Sequence, residues 1–333
     1  MTLFRPVTAA AALFLTLGAT LVSQSSAPRA NPAGNGRFTF ALIGDMPYGP
    51  EGEMKFPNVI ADINADRTLA FVAHDGDIKN GSTVCSDEMF ANRLDLFNQV
   101  SHPVIYVPGD NEWTDCHRAN NGAYDPLERL AHLRSLFFPS PQSLGQRTLT
   151  LERQSALFPE NVRWVVKDVM FAGLHVVGSN NNLGRTPAAD AEYAARNAAT
   201  LEWLHDTFVE ARLQEARAVM LVIQANPGFD VAPASRTGFN DFLAALEAET
   251  LAFRKPVVLV HGDSHYFRID KPMIGTRSRR RVENFTRVDV RRERQPLAPR
   301  HRGTGQPERL RVRSANRHGQ PGRAVARPAW IGA

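Results

Sequence analysis

Residues 69–80 read LAFVAHDGDIKN. The apolar, β-favouring run from Leu69 to His74 enters Asp75-Gly76-Asp77 directly, which predicts a buried strand ending in a sharp turn that presents a carboxylate. The same grammar recurs on both sides. RFTFALI (37–43) runs into Gly44-Asp45, and VIYV (104–107) runs into Pro108-Gly109-Asp110. Asp45, Asp77 and Asp110 are separated by 32 and 33 residues, one strand–helix–strand unit each time. Helical spacing at 58–65 and 86–99, where Met89, Leu94 and Phe97 recur, fills the gaps. Such units give a parallel sheet, so all three acids are expected at one edge, beyond the carboxyl ends of the strands, where α/β proteins bind ligands.

The rhythm continues with paired strands over 164–177, a long helix over 188–216, a strand at AVMLVI (218–223), a helix over 240–251 and a strand at PVVLV (256–260). The last strand runs into a fourth polar group, His261-Gly262-Asp263-Ser264-His265. Residues 117–160 read as an irregular excursion walling the site. Carboxylates that converge to ~4 Å repel by about 4 kcal/mol per pair at an effective dielectric of 20. A divalent cation removes that cost and uses the same oxygens as ligands. Glycine ahead of each acid lets the backbone turn and approach the ion. One Gly-Asp is an ordinary turn; three in register, with Asp-Ser-His after a fourth strand, point to a metal site. No Gly-x-Gly-x-x-Gly follows the first strand and no Lys sits in a glycine-rich loop, which removes the common nucleotide-binding motifs.

These blocks resemble the calcineurin-like metallophosphoesterases, the metallo-dependent phosphatases, in order and spacing over about 37–270. The resemblance implies an α/β fold, a four-layer α/β/β/α sandwich, with metal-activated hydroxide attacking a phosphoric ester. It also implies that Asp77 bridges two metals. The family's blocks are Asp-x-His, Gly-Asp-x-x-[Asp/Asn], Gly-Asn-His-[Asp/Glu], a lone His, and Gly-His-x-His. Here Asp45 is kept but Pro47 stands where His is expected. Asp110 replaces the Asn ligand, and Asn111 replaces the His that contacts the leaving group. Gln224-Ala225-Asn226-Pro227 lacks the lone His, and Asp263 replaces the first His of the last block while His265 remains. Imidazoles are lost and carboxylates gained, which favours Mn²⁺, Mg²⁺ or Ca²⁺ over Zn²⁺. One or two ions are expected, the first on Asp45, Asp77 and His265, the second on Asp77, Asp110 and Asp263, with Gln224 or Asn226 as neutral helpers. Asn111 and His265 are the expected catalytic residues; Asn111, Glu112 and His117 are the expected substrate-binding ones. His74 is a further proton-donor candidate, and His261 an alternative ligand to Asp263. For His74, Glu112 and His117 a structural role competes. Asn180-Asn181-Asn182 and Trp113 are read as polar turn and packing or as cleft lining, Arg268 and Lys271 as surface charge or anion holders. The expected activity is phosphomonoesterase or phosphodiesterase on a small phosphorylated substrate; the alternative is a weak or silent member that binds an anionic ligand in its metal cleft.

The 333 residues are 43% apolar and 22% charged with a net +5, enough for one large core. The charge is uneven: residues 291–333 hold eleven Arg and two Glu, a net +9, leaving 1–290 at −4. The overall basicity is therefore no argument for a specific nucleic-acid partner. Arg5 followed by the uncharged run 7–22 and small polar residues to 30 has the layout of a secretory signal peptide, with an uncleaved anchor as the alternative. Cleavage would leave an exported protein, periplasmic or extracellular, with no membrane partner. Export permits disulfides, and Cys85 and Cys116 both lie just past neighbouring strand ends, so a bridge is expected, with two buried thiols as the alternative. The expected organisation is a signal at 1–30, the phosphoesterase domain at 31–275 and an Arg-rich tail at 276–333. Three readings of the tail stand: a basic arm for anionic partners, a solvated extension, or a stretch translated out of frame.

Overall fold

The computed structural model describes residues 37–290, together with the backbone of three two-residue strands at 29–30, 309–310 and 331–332. The expected signal segment, and all but the first fifteen residues of the expected tail, lie outside the described side chains.

Strands β2 (Thr39–Ile43), β3 (Leu69–His74) and β4 (Val104–Tyr106) form a parallel three-stranded sheet in sequence order. The second sheet has eight strands. Its spine is β6 (Val162–Val166), β7 (Val169–Gly173), β8 (Ala218–Val222), β9 (Val257–His261), β11 (Phe285–Asp289) and β10 (Arg268–Asp270), in that spatial order. β1 (Arg29–Ala30) and β5 (Glu152–Arg153) both pair with β6. β7, β8, β9 and β11 are parallel, β10 runs antiparallel to β11, and β6 runs antiparallel to β7 and β5 but parallel to β1. A separate two-stranded ladder joins β12 (Arg309–Leu310) to β13 (Ile331–Gly332).

Period-2 alternation assigns every strand two duties. On β8, Met220 and Val222 face the other sheet while Val219 and Leu221 face helices; on β9, Val258 and Val260 against Val257 and Leu259 do the same. The inter-sheet layer gathers Phe71, Ala73, Ile105 and Val107 from the small sheet with Trp164, Phe171, Met220 and Val258 from the large one. Phe71 meets Phe171 and Trp164 edge-on, with centroids 5.1 and 5.5 Å apart, the arrangement aromatic quadrupoles favour. Helices α1 (Gly49–Ala65), α2 (Asp87–Asn98) and α3 (Pro126–Phe137) cover the outer face of the small sheet through Phe56, Ile60, Phe90, Phe97, Leu133 and Phe137. After a single turn, α4 (Gly178–Asn181), helices α5 (Pro187–Leu213) and α6 (Asn240–Phe253) cover the large sheet through Trp203, Leu204, Phe208, Phe242 and Leu246. The result is a four-layer α/β/β/α sandwich.

Three elements depart from the expected layout. α1 starts nine residues before 58 and runs through Pro57, a residue that reads as a breaker. α3 lies inside the stretch expected to be irregular; Asp125 caps it by accepting from Leu127 and Glu128 N–H, with Pro126 in the first turn. β11 lies beyond 275, where the tail was expected to begin, and its residues are buried between β9 and β10. Its charges concealed it: Arg287 is fully buried because its guanidinium donates to Asp270 at 2.6 and 2.8 Å and to Asp230 at 3.1 Å. The folded body therefore continues to Val290. Among the described residues, no helix is long and apolar enough to cross a membrane.

Candidate metal centre

The carboxyl ends of β2, β3, β4 and β9 meet at one edge of the sandwich, and the turns that follow them carry Asp45, Asp77, Asp110 and Asp263. Three of these backbones are left-handed, Asp45 at φ 51°, Asp77 at φ 58° and Asp263 at φ 67°, as is His265 at φ 64°. A side-chain-bearing residue held there costs about 1–3 kcal/mol, and such strain gathers at functional sites. Glycines supply the clearance: a Cβ on Gly109 would lie 2.1 Å from Asp77 Oδ1, and one on Gly178 would lie 2.7 Å from Asp110 Oδ2.

Asp77, Asp110 and Asp263 each offer an oxygen within 4.8 Å of the others. Asp77 and Asp110 are buried and Asp263 half-buried. Burial is the first cause that raises all three carboxyls. Asp110, Glu112 and Asp45 push Asp77 further, and Asp110 helps lift Asp263 to about 7. The set is the one expected for the second metal. The set expected for the first, Asp45, Asp77 and His265, is not drawn together. The Tyr48 phenol stands between its two carboxylates, donating to Asp77 Oδ2 at 2.8 Å with Asp45 Oδ1 at 3.3 Å. His265, its side chain 43% exposed, faces Asp45 Oδ1 at 3.5 Å and meets the Tyr48 ring edge-on.

Neighbouring groups hold the cluster in place. Asn111 donates through Nδ2 to Asp77 Oδ2 at 2.8 Å and to the Tyr48 oxygen at 2.9 Å, and its backbone N–H reaches Asp77 Oδ1. Ser179 Oγ donates to Asp110 Oδ2 at 2.7 Å, and Gln224 Nε2 donates to Asp110 Oδ1 at 3.2 Å. Ser179 reaches that position because four consecutive residues, Ser179 to Asn182, are left-handed. Asn181 pins the turn by accepting from Arg196 and Val177, so the asparagine run builds the turn. Asn226 contributes only its backbone N–H, to Asp263 Oδ2 at 3.3 Å.

Several expected site residues serve the scaffold instead. Glu112 is fully buried beneath the cluster, its Oε1 accepting from Gly109 N, Tyr106 Oη and Asp77 N at 2.6, 2.6 and 3.1 Å. Through these bonds it braces the turns that carry Asp77 and Asp110. His117 is exposed and bonds within its own turn, Nδ1 lying 2.6 Å from the Thr114 carbonyl. His74 accepts from Gly76 N–H at Nδ1, so Nε2 carries the proton and donates to the Met46 carbonyl at 3.0 Å; burial holds its pKa down near 4, so it stays neutral. His261 is fully buried, with Nδ1 2.9 Å from the Gly262 carbonyl. Trp113 is buried against His175 and Arg196. Arg268 is held by Asp230 and Asp289, both at 3.1 Å, and Lys271 pairs with Glu283.

Cys85 and Cys116 form a disulfide, and both sulfurs lie 3.8 Å from the Asn111 carbonyl oxygen. The bridge therefore backs the segment that carries Asp110 and Asn111.

Four residues escaped the sequence reading: Tyr48, Asp75, Lys79 and Ser179. Tyr48 stands three residues after Asp45, next to the position of the missing His. Lys79 is fully buried among Glu112, Asp77, Asp115 and Asp110; burial lowers it to about 8, against the pull of those carboxylates. Asp75 is buried with neither carboxyl oxygen hydrogen-bonded. Burial raises it first, then Asp45 and Asp289. A buried carboxylate without a partner is costly unless protonated or answered by a cation. An all-oxygen donor set, charge in excess of its internal counter-charge and an orphaned acid beside it fit a hard divalent cation.

No family model matches the chain, and no curated protein matches it. Among solved structures, PhoD aligns with TM-score 0.46 and 12% identity over 80% of this chain and 59% of that one. The 5'-nucleotidase from Candida albicans SC5314 aligns with TM-score 0.36 and 11% identity over 80% of this chain and 47% of that one. The chain thus spans about three fifths and about half of their lengths. With both scores below one half, the fold assignment rests on the layers, strand order and turns described above.

Proposed function

We propose that the protein is an exported metal-dependent hydrolase of phosphoric esters. The observation that carries this reading is the convergence of Asp77, Asp110 and Asp263, from three separate strand ends, to within 4.8 Å. They would hold Mn²⁺, Mg²⁺ or Ca²⁺, and a bound divalent ion supplies the charge that draws in phosphoryl oxygens and activates water. Asn111 orients Asp77 through its amide nitrogen. It has no proton to give near neutral pH, whereas His265, at the mouth beside Asp45, is an imidazole able to give one to a leaving oxygen. His265 is accordingly assigned to the substrate. The Cys85–Cys116 disulfide supports export, since such bonds persist in oxidising compartments.

Purified protein with Mn²⁺ should release aryl alcohol from p-nitrophenyl phosphate or its bis-aryl diester, and Asp77→Ala should abolish the release. The position of Tyr48 between Asp45 and Asp77 favours a second reading, a cleft that binds an anionic ligand without turnover. Saturable binding of phosphate in the absence of release from either ester would select it.

A further inference from the structure

Beside Asn111, on the side away from Tyr48, the loop after β3 passes through Gly81. A Cβ there would lie 3.2 Å from Asn111 Oδ1 and 3.4 Å from one terminal nitrogen of Arg118. The bare backbone thus lets the loop pass close against the Asn111 amide oxygen, the Arg118 guanidinium and, 3.9 Å from the same point, Asp115 Oδ2 at the edge of the cluster. Arg118 is 43% exposed, and among the described residues Asp115 is its one ion-pair partner, at 2.6 Å. Asp115 is itself buried and tied back to the centre: Ser179 Oγ, which donates to Asp110, lies 3.3 Å from Asp115 Oδ1. A continuous chain therefore links a cluster carboxylate to the arginine, Asp110 to Ser179 to Asp115 to Arg118. The disulfide at Cys116 fixes the same turn two residues ahead of the arginine. Asp115 engages the terminal nitrogen that faces Gly81, and the other N–H groups of the half-exposed guanidinium can serve another acceptor from the solvent side.

We propose that Arg118 binds the phosphoryl group of the substrate from the Asn111 side and makes a doubly charged phosphate monoester the preferred substrate over a singly charged diester. The proposal rests on the phosphoesterase reading. A planar guanidinium fork matches phosphate oxygens in geometry as well as charge. It rewards each additional charge on the ester, in a site whose own carboxylates would otherwise repel a dianion. Asp115 and Ser179 act as positioning residues, holding the fork beside Asn111.

The test uses the full chain loaded with Mn²⁺. The kcat/KM for p-nitrophenyl phosphate and for bis(p-nitrophenyl) phosphate is measured in wild type, Arg118→Gln, Arg118→Lys and Asp115→Asn, and inorganic phosphate is titrated calorimetrically into each. Wild type should favour the monoester. Arg118→Gln should cut the monoester-to-diester ratio at least tenfold, chiefly through KM, and weaken phosphate binding by a similar factor. Arg118→Lys should recover part of both, because it restores charge but not the fork, and Asp115→Asn should lie between Gln and wild type. An unchanged ratio with unchanged phosphate affinity in Arg118→Gln overturns the proposal, as does an equal fall on both esters. If wild type cleaves neither ester, the phosphoesterase reading fails. The phosphate titration then still decides whether Arg118 is an anion site: a tenfold loss on Arg118→Gln upholds it, and no loss removes it.

Discussion

The Tyr48 hydroxyl donates to Asp77 Oδ2 at 2.8 Å, so a phenol serves the carboxylate that a bridging cation would otherwise claim. A hydrogen bond to a carboxyl that burial keeps largely protonated contributes about 0.5–1.5 kcal/mol. Tyr48→Phe should therefore destabilise the metal-free protein by roughly that amount. A cation that takes over Asp77 makes the phenol less necessary, so the rise in Tm on adding Mn²⁺ should be larger in Tyr48→Phe than in wild type. Equal rises in a thermal melt would show that phenol and ion do not compete.

Stability of the metal-free protein should fall as pH rises. Asp263 is raised from 3.8 to about 7 by burial and by Asp110, and Asp77 and Asp110 are raised as well. An acid whose folded pKa exceeds its unfolded pKa binds more protons when folded, so its contribution is complete below the unfolded value and is lost through the folded one. The window for Asp263 runs from 3.8 to about 7. In EDTA the protein should melt higher at pH 5 than at pH 8. Mn²⁺ should reverse the order, since binding displaces those protons. A metal-free Tm that climbs across this range would contradict the burial of the cluster.

Ser179→Ala should weaken Mn²⁺ binding by tenfold or more, equivalent to about 1.4 kcal/mol. The hydroxyl satisfies Asp110 at 2.7 Å, and the left-handed turn exists to bring it there. Isothermal titration reads the change directly; an unaltered affinity would assign Ser179 to the turn alone.

Reducing the disulfide, or replacing both cysteines by serine, should cost about 3–4 kcal/mol for a loop near 31 residues. Denaturant midpoints with and without reductant measure it. Because both sulfurs abut the Asn111 carbonyl, activity should fall at denaturant concentrations where the bulk fold persists, if the bridge fixes the site as well as the fold.

Much of the fold was legible because it is written in local periodicity. β3 was read residue for residue, and β2, β4, β8, β9, α2, α5 and α6 within a few residues. In each, the apolar residues recur at the period of the element itself, within a few adjacent residues. α3 was missed although its signals were present, Asp125-Pro126 ahead of Leu130, Leu133 and Phe137. β11 was beyond local reading: burying Arg287 requires Asp270 and Asp230, seventeen and fifty-seven residues away in the chain. The same holds for Glu112. Its sequence position suits a substrate contact, and only the bonds of its Oε1 to Tyr106 and Gly109 reveal it as a brace.

By itself, the sequence determined that carboxylates end successive parallel strands and that one sheet edge must collect them, because alternation and Gly-Asp turns are properties of a few adjacent residues. Tertiary structure decided which of those acids come close enough to share an ion. It chose Asp77, Asp110 and Asp263, placed Tyr48 between Asp45 and Asp77, and aligned Arg118 through Asp115. These choices depend on distances of a few ångströms between segments far apart in the chain. Such distances are set by how two sheets and their helices pack, and no periodicity encodes them.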